Sequence, residues 1–240
     1  MITRNEENDL RTAPREIIIR ARPPSRDGHP IATVVIDAFR AFATAAYVLH
    51  QRPREYLITT TSTSAVRLAT ADPDALLIGK PEIGAHVVYD IPNSPTRVVE
   101  TRIADRRVVH RTEAGAKGVL AADGVVLVAF FVNARATAAW LRRARAHVRL
   151  WPMGHEAASP TLEDDLCAAC IKSLLMGRTF DLSPSREALR DGPGKYFFGE
   201  DQWQYPREDF ERCLELDRFD FAIQAEVRSD HATLSAVEPS

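Results

Sequence analysis

The stretch "VVIDAFRAFATAA", residues 34–46, decides the fold, because an apolar run leads into charged residues and then into an alanine-rich segment. Val34, Val35 and Ile36 form the short β-branched run that is typical of an interior strand in an α/β sheet. This strand would deliver Asp37 to the edge of the sheet at which such folds bind ligands. An isolated Asp at this junction could equally cap the following helix, so other residues must decide its role.

The same alternation of strand and helix continues along the chain. Strands are predicted at residues 16–21, 32–37, 55–60, 75–80, 107–112, 125–132 and 147–153. Helices are predicted at residues 40–51, 62–71, 133–146, 161–177 and 207–216. This order predicts an α/β fold, layered as α/β/α around a mixed, partly parallel sheet. Residues 1–13 are expected to be a flexible N-terminal segment, and residues 14–240 a single domain with an irregular excursion near 182–206.

Composition disfavours several classes of protein. The chain has 240 residues and a formal net charge of -2, which gives no general reason to expect nucleic acid or an anionic membrane as a partner. No signal-peptide pattern and no apolar run of membrane-spanning length is present, so a cytoplasmic protein is expected. The three cysteines are an odd number, which favours free thiols over a disulfide framework. A homo-oligomer is expected on base rates alone.

Polar residues gather at the ends of the predicted strands. They are Asp37, Arg40, Lys80, Glu82, Arg111, Thr112, Asn133, Glu163 and Asp164. In "RTEAGAKG" (111–118), Gly115 and Gly118 would let backbone N–H groups approach a phosphate or a carboxylate, although an ordinary turn explains them about as well. Asn133 is expected to cap a helix, with a ligand contact as the less favoured alternative.

The segment "SPTLEDDLCAAC" (159–170) is expected to begin a helix. Ser159 is the predicted N-cap, followed by Pro160 and by three consecutive acids. Acids in the first turn suit the helix dipole, so capping alone is one sufficient explanation. Three consecutive acids are nevertheless more than capping needs.

These acids and the arginines together indicate phosphoryl chemistry. Magnesium takes one or two carboxylates with phosphate and water, so Asp37 opposite Glu163 and Asp164 could hold it. Arg40 and Arg111 would then bind anionic oxygens of a substrate.

Other catalytic schemes fit the sequence less well. A phosphatase of the haloacid-dehalogenase type needs a second Asp two residues after the first, and Phe39 stands there. The P-loop pattern is also absent. Cys167 and Cys170 lie in an apolar helix without a second pair, which favours core residues over a zinc or redox site. His155 could be a general acid, but an exposed loop histidine is the favoured interpretation.

Several motifs resemble one known family. The motifs "VVIDAFRA", "YDIPNSP", "VNARA" and "LEDDLCA" occur in the order and approximate spacing of the 2-phosphosulfolactate phosphatase family. The closing segment "REDFERCLELDRFDFA" is also similar, so the resemblance covers residues 30–223. It implies an α/β fold and a phosphatase that uses Mg2+ to convert 2-phosphosulfolactate to sulfolactate and phosphate in coenzyme M biosynthesis.

The resemblance, together with the strand-end residues, implies a full set of site residues. The catalytic residues would be Asp37, Arg40, Glu163 and Asp164, and the metal ligands Asp37, Glu163 and Asp164. The substrate-binding residues would be Arg40, Asn93, Ser94, Arg111, Thr112, Gly115 and Asn133. The expected partner is a small anionic phosphorylated substrate.

Three departures from the family's pattern keep alternatives open. Phe42 stands where a small hydroxyl residue is common, Lys80 replaces a frequent Glu, and "RTEAGAKG" replaces a threonine-rich loop. Glu82 could substitute for the missing Glu. The alternatives are a hydrolase of another small phosphorylated hydroxy acid and a catalytically silent homologue that binds anions.

Overall fold

The computed structural model describes residues 17–19, 31–80, 82, 84–144, 147–155, 157 and 159–238. The predicted flexible segment 1–13 lies outside the described residues. The strands are β1 (Ile17–Ile19), β2 (Ile31–Ile36), β3 (Glu55–Thr59), β4 (Leu76–Ile78), β5 (Arg107–Arg111), β6 (Val125–Ala129), β7 (His147–Pro152), β8 (Ala222–Val227) and β9 (His231–Val237). The helices are α1 (Ala43–His50), α2 (Ser62–Thr70), α3 (Pro95–Glu100), α4 (Ala114–Ala121), α5 (Ala134–Ala144), α6 (Leu162–Leu175), α7 (Arg186–Asp191) and α8 (Arg207–Cys213).

Within this part of the chain, the nine strands form one mixed sheet in the order β1-β7-β2-β6-β8-β9-β3-β5-β4. Strands β1, β7, β2 and β6 are parallel to one another, and so are β3, β5 and β4. The last four residues of β3, β5 and β6 are all buried. Because successive side chains point to opposite faces, both faces of these strands are covered. The predicted α/β fold with a layered, mixed sheet is confirmed.

The C-terminal hairpin β8–β9 lies in the middle of the sheet, and the sequence did not predict it. β8 pairs antiparallel with β6, β9 pairs antiparallel with β3, and the two pair with each other. Three successive antiparallel pairings therefore separate the two parallel groups, so β3, β4 and β5 run opposite to β2, β6 and β7. The hairpin was missed because its strands carry polar residues such as Gln224, Glu226 and Ser235 among few large apolar ones.

Several predicted boundaries were wrong. The strand predicted at 125–132 ends at Ala129, and Phe131–Asn133 form a 3-10 turn. Phe130 and Phe131 are both fully buried, so the apolar run continues into a turn instead of a longer strand. The region 182–206 is not irregular throughout, since it holds α7 between two 3-10 turns. Helix α3 was not predicted.

Within the described residues, no helix is both long and apolar enough to cross a membrane. Cys167, Cys170 and Cys213 are free and buried, which confirms the predicted thiols. The peptide bond between Phe39 and Arg40, just after β2, is cis.

Candidate active site

One cavity of about 530 Å3 receives residues from both parallel groups of the sheet. The predicted site residues in its lining are Asp37, Arg40, Asn93, Arg111, Thr112, Glu163 and Asp164. Asp37 follows β2 and Arg111 ends β5, and these two strands run in opposite directions, so a shared carboxyl edge does not explain why both residues line one cavity. Helix α4 connects the two parallel groups of the sheet. It follows β5, and its first turn lies beside Asp37 at the end of β2.

One side of the cavity is formed by Asp37, Glu163 and Asp164, here called the carboxyl cluster. Asp164 joins three segments, since its Oδ1 accepts the N–H of Ala38 at 2.8 Å and its Oδ2 accepts the N–H of Gly154 at 2.7 Å. These bonds fix the start of α6 against the ends of β2 and β7.

Burial and neighbouring negative charge raise the pKa of every member of the carboxyl cluster. Burial raises the pKa of Asp37 to about 6, with a further contribution from the charge of Glu163. Burial likewise raises the pKa of Asp164 well above its usual range, and the charges of Asp37 and Glu163 add to this effect. The pKa of Glu163 is also raised, mainly by burial. Its Oε2 is buried without a hydrogen-bond partner among the described residues. A nearby cation would offset this repulsion.

Two glycines permit the approach of backbone to the carboxyl cluster. The N–H of Gly115 donates to Asp37, which opposes the rise in the pKa of Asp37. A Cβ at Gly115 would lie 2.8 Å from both Asp37 Oδ2 and Phe42 Cζ, so a larger residue would displace one of them. Gly154 has φ +66°, and a Cβ there would meet the Ser159 carbonyl oxygen at 2.0 Å. Gly115 does not itself line the cavity, but it shapes the position of Asp37.

The start of α6 differs from the prediction. Thr161 is the N-cap, two residues after the expected Ser159. Ser159 instead exchanges backbone hydrogen bonds with His155 in an isolated antiparallel bridge. Glu163 and Asp164 are buried whereas Asp165 is exposed, so only two of the three acids in this helix turn face the site.

Arg40 enters the cavity from the segment after β2 and is 4% exposed. Its Nη1 lies 2.5 Å from Oδ2 of Asp209, which is fully buried on α8. Sequence reasoning missed Asp209. The available signal was its helical spacing, because Asp209 lies four residues before Cys213 on the buried face of α8.

The other cations are placed differently. Arg111 is 7% exposed, and its Nη2 lies 3.7 Å from a Glu82 oxygen and 3.6 Å from a Glu113 oxygen. Glu82 also accepts the N–H of Ser62 at 2.7 Å, at the start of α2, and it does not line the cavity. It therefore supports Arg111 and α2 instead of substituting for a site acid. Lys80 lines the cavity, is exposed and has no carboxylate within ion-pair distance among the described residues.

Ser94 and Asn133 lie outside the cavity lining formed by the described residues. Ser94 Oγ donates to Asp209 Oδ1 at 3.0 Å and accepts the N–H of Arg97 at 3.2 Å. Asn133 is fully buried, and its Oδ1 accepts the N–H of Phe130 at 3.0 Å. Direct substrate binding by Ser94 and Asn133 stays a prediction.

An aromatic side of the cavity was also missed by sequence reasoning. Tyr196 and Tyr205, from the region 182–206, line it together with Phe39. Tyr196 Oη donates to the Phe39 carbonyl oxygen at 3.3 Å. His155 lines the cavity and is exposed, so the structure places it where either predicted role is available.

Comparison with known proteins identifies the family. The family model for 2-phosphosulpholactate phosphatase matches residues 19–192. The chain belongs to the 2-phosphosulfolactate phosphatase family. The predicted membership in a family of phosphoric monoester hydrolases is thereby confirmed.

Three proteins similar to this chain share the name "Probable 2-phosphosulfolactate phosphatase". The protein of Bacillus subtilis (strain 168) is 26% identical over 211 residues, which cover 85% of this chain and 91% of the relative. That of Deinococcus radiodurans is 39% identical over 119 residues, covering 47% of this chain and 48% of the relative. That of Synechococcus sp. (strain RCC307) is 28% identical over 155 residues, covering 62% and 63%.

Proposed function

We propose that this chain hydrolyses the phosphate ester of 2-phosphosulfolactate to sulfolactate and phosphate, and that it requires Mg2+. One observation carries the proposal. In a member of this family, two arginines and a cluster of carboxyl groups that repel one another line the same cavity. The family and the names of its relatives support the substrate.

The carboxyl cluster fits a magnesium ion chemically. The pKa values of its three carboxyl groups are raised mainly by burial and further by neighbouring negative charge, and Glu163 Oε2 has no hydrogen-bond partner among the described residues. Among those residues, no three His, Cys, Asp or Glu side chains form a ready metal site. Magnesium commonly takes only one or two carboxylates, completed by phosphate and water, so Asp37 and Glu163 are the proposed direct ligands. Asp164, whose two oxygens already accept backbone N–H groups, would complete the cluster.

The bound magnesium would neutralise charge on the phosphate oxygens. Arg40 and Arg111 would donate to these oxygens and stabilise the charge that develops as the reaction proceeds. Asn93 would orient the acidic groups of the substrate through its amide. A water oxygen forms a bond to phosphorus, the ester P–O bond breaks, and a proton ends on the leaving hydroxyl oxygen of sulfolactate.

Lys80 favours a second candidate, a phosphatase of another small phosphorylated hydroxy acid. Its ammonium group adds positive charge to the cavity where the family frequently has a Glu. A substrate with its acidic groups at a different spacing from those of 2-phosphosulfolactate would use that charge. A catalytically silent anion-binding homologue is the alternative in which Lys80 replaces the charge of the metal.

The test is phosphate release from 2-phosphosulfolactate and from a panel of phosphorylated hydroxy acids, with Mg2+ or with chelator. Chelator-sensitive release supports a metal phosphatase, and the ranking of the panel identifies the substrate. Asp165→Asn is the matched control for substitutions in the carboxyl cluster, because Asp165 lies in the same helix turn but is exposed, so its removal should change turnover little. Absence of release from every substrate, with Mg2+-independent binding of the same acids, would overturn the proposal in favour of the silent homologue.

A further inference from the structure

We infer that Asp209 is a positioning residue that holds the guanidinium of Arg40 in the orientation for binding the phosphoryl group. The inference rests on the proposed function for the role of Arg40. Asp209 lies beyond the residues 19–192 that match the family model, and it is separated from Arg40 by 169 residues in sequence.

Asp209 is itself held rigidly. It is 0% exposed, and its Oδ2 accepts Nη1 of Arg40 at 2.5 Å. Its Oδ1 accepts both Ser94 Oγ at 3.0 Å and the N–H of Thr96 at 2.8 Å. Because both oxygens are engaged, the carboxylate cannot rotate without breaking a buried hydrogen bond. The start of α3 therefore fixes Asp209, and Asp209 fixes Arg40.

Aromatic rings hold the same guanidinium from other directions. The Arg40 Cζ lies 4.8 Å from the ring centroid of Tyr205 and 5.6 Å from that of Phe197. Such distances are typical of cation–π contacts. Both rings come from the region 182–206, so this region and α8 converge on one side chain.

The remaining donors of Arg40 are available to a ligand. Among the described residues, Asp209 supplies the only acceptor to the Arg40 side chain, and that bond uses Nη1. Arg40 nevertheless lines the cavity, so its other N–H groups have an anion as their natural acceptor. A guanidinium recognises phosphate through a planar fork, whose direction matters as much as its charge.

The charge of Asp209 argues for orientation as its role. A full carboxylate at 2.5 Å offsets much of the positive charge that Arg40 presents to a phosphate. A site that only attracted anions would not place a carboxylate beside Arg40. Lys80, which also lines the cavity, has no carboxylate within ion-pair distance among the described residues. The benefit of Asp209 is therefore that it orients Arg40. Ser94 contributes to the site indirectly, through its hydrogen bond to Asp209.

The test compares Asp209→Asn in the wild-type chain and in an Arg40→Gln background. Asparagine keeps the shape of the side chain but removes its charge and one strong acceptor. We expect kcat/KM for 2-phosphosulfolactate, per folded molecule, to fall by about 10²-fold in the wild-type chain, the typical effect of misplacing a catalytic group. In the Arg40→Gln background the same change should alter kcat/KM by no more than about twofold, because no guanidinium remains to be positioned.

Two controls separate positioning from simple support of the fold. Glu211→Gln lies on the same helix, in an exposed ion pair with Arg186, and should leave kcat and KM unchanged. A purely structural role for Asp209 would reduce the folded fraction while leaving KM and the turnover per folded molecule unchanged. That outcome, or equal losses in both backgrounds, would overturn the inference. If Asp209→Asn does not fold, Ser94→Ala carries the test, with a smaller loss expected in the same direction and the same dependence on Arg40.

A readout without turnover distinguishes failure of this inference from failure of the proposed function. The 15N NMR signals of the Arg40 side chain, identified by their absence in Arg40→Gln, should show restricted rotation in the wild type and fast rotation in Asp209→Asn. Calorimetric binding of inorganic phosphate should weaken in parallel. If the wild type releases no phosphate from the panel but both effects occur, only the proposed function fails. Unchanged rotation, or faster rotation with unchanged kcat/KM and phosphate binding, would overturn the positioning role.

Discussion

The carboxyl cluster and the Arg40–Asp209 pair lie in and beside one cavity, and both place charge away from bulk water. In the pair, every oxygen of Asp209 has a donor and the guanidinium has a carboxylate. In the carboxyl cluster, Asp37, Glu163 and Asp164 repel one another, and their pKa values are raised. Compensated charge holds structure together, whereas charge left uncompensated by the protein indicates a ligand.

The comparison predicts that loss of charge from the carboxyl cluster impairs function without impairing the fold. Asp37→Asn should lower turnover on the order of 10³-fold, through loss of the charge that would hold the cation. The folded pKa of about 6 exceeds the unfolded value, so ionised Asp37 destabilises the fold at pH 7. The melting temperature should therefore stay constant or rise. Phosphate release and thermal unfolding, measured on the same preparation beside Asp165→Asn, check both parts. A lower melting temperature would contradict the conclusion that ionised Asp37 destabilises the fold.

Breaking the pair should have the opposite effect on stability. Asp209→Ala leaves Arg40 without its carboxylate and Ser94 and Thr96 without their acceptor. We expect the free energy of unfolding to fall by about 3 kcal/mol, the usual scale for removal of one partner from a buried ion pair. Urea unfolding measures it, with Glu211→Ala as the exposed control on the same helix. Equal stability of the two variants would mean that the pair contributes little to the fold.

A third change tests the geometry that keeps the carboxyl cluster together. Gly115→Ala introduces a Cβ that would lie 2.8 Å from Asp37 Oδ2 and Phe42 Cζ, so one of these groups must move. Overpacking of this kind costs about 2 kcal/mol. We expect lower stability and lower turnover together, unlike Asp37→Asn. Gly199→Ala provides the comparison, because Gly199 has φ -82° and a Cβ there would meet only the Tyr196 carbonyl oxygen, at 3.4 Å.

The smallest effect, counted per pH unit, concerns His110, a buried side chain that stays uncharged in the folded chain. His110 Nδ1 lies 2.7 Å from Tyr56 Oη, and burial lowers the pKa of His110 to about 3, assisted by the charges of Arg40 and Arg111. The unfolded chain binds a proton near pH 6.5, whereas the folded chain does so only near pH 3. Stability should therefore fall by about 1.4 kcal/mol per pH unit as pH decreases through this window. His110→Gln should remove this part of the slope in urea unfolding at several pH values; an identical slope would exclude His110 as its source.

The sequence predicted those parts of the structure that depend on neighbouring residues. The apolar run before Asp37 and the acids at the start of α6 are local patterns, and the structure places both at the cavity. The partner of Arg40 is 169 residues away, so no local pattern connects it to Asp209. The opposite direction of the two halves of the sheet could not be predicted from the sequence either, because it depends on which strands become neighbours.

The position of the hairpin β8–β9 has a consequence for the order of events during synthesis. These strands follow the other seven described strands in the sequence, yet they form the middle of the sheet and join its two halves. Until residues 222–237 have been synthesised, the edges of β6 and β3 lack the partners that β8 and β9 provide, and such edges favour aggregation. A nascent chain that stops before residue 222 therefore lacks the connection between its halves, so completion of the sheet depends on residues 222–237.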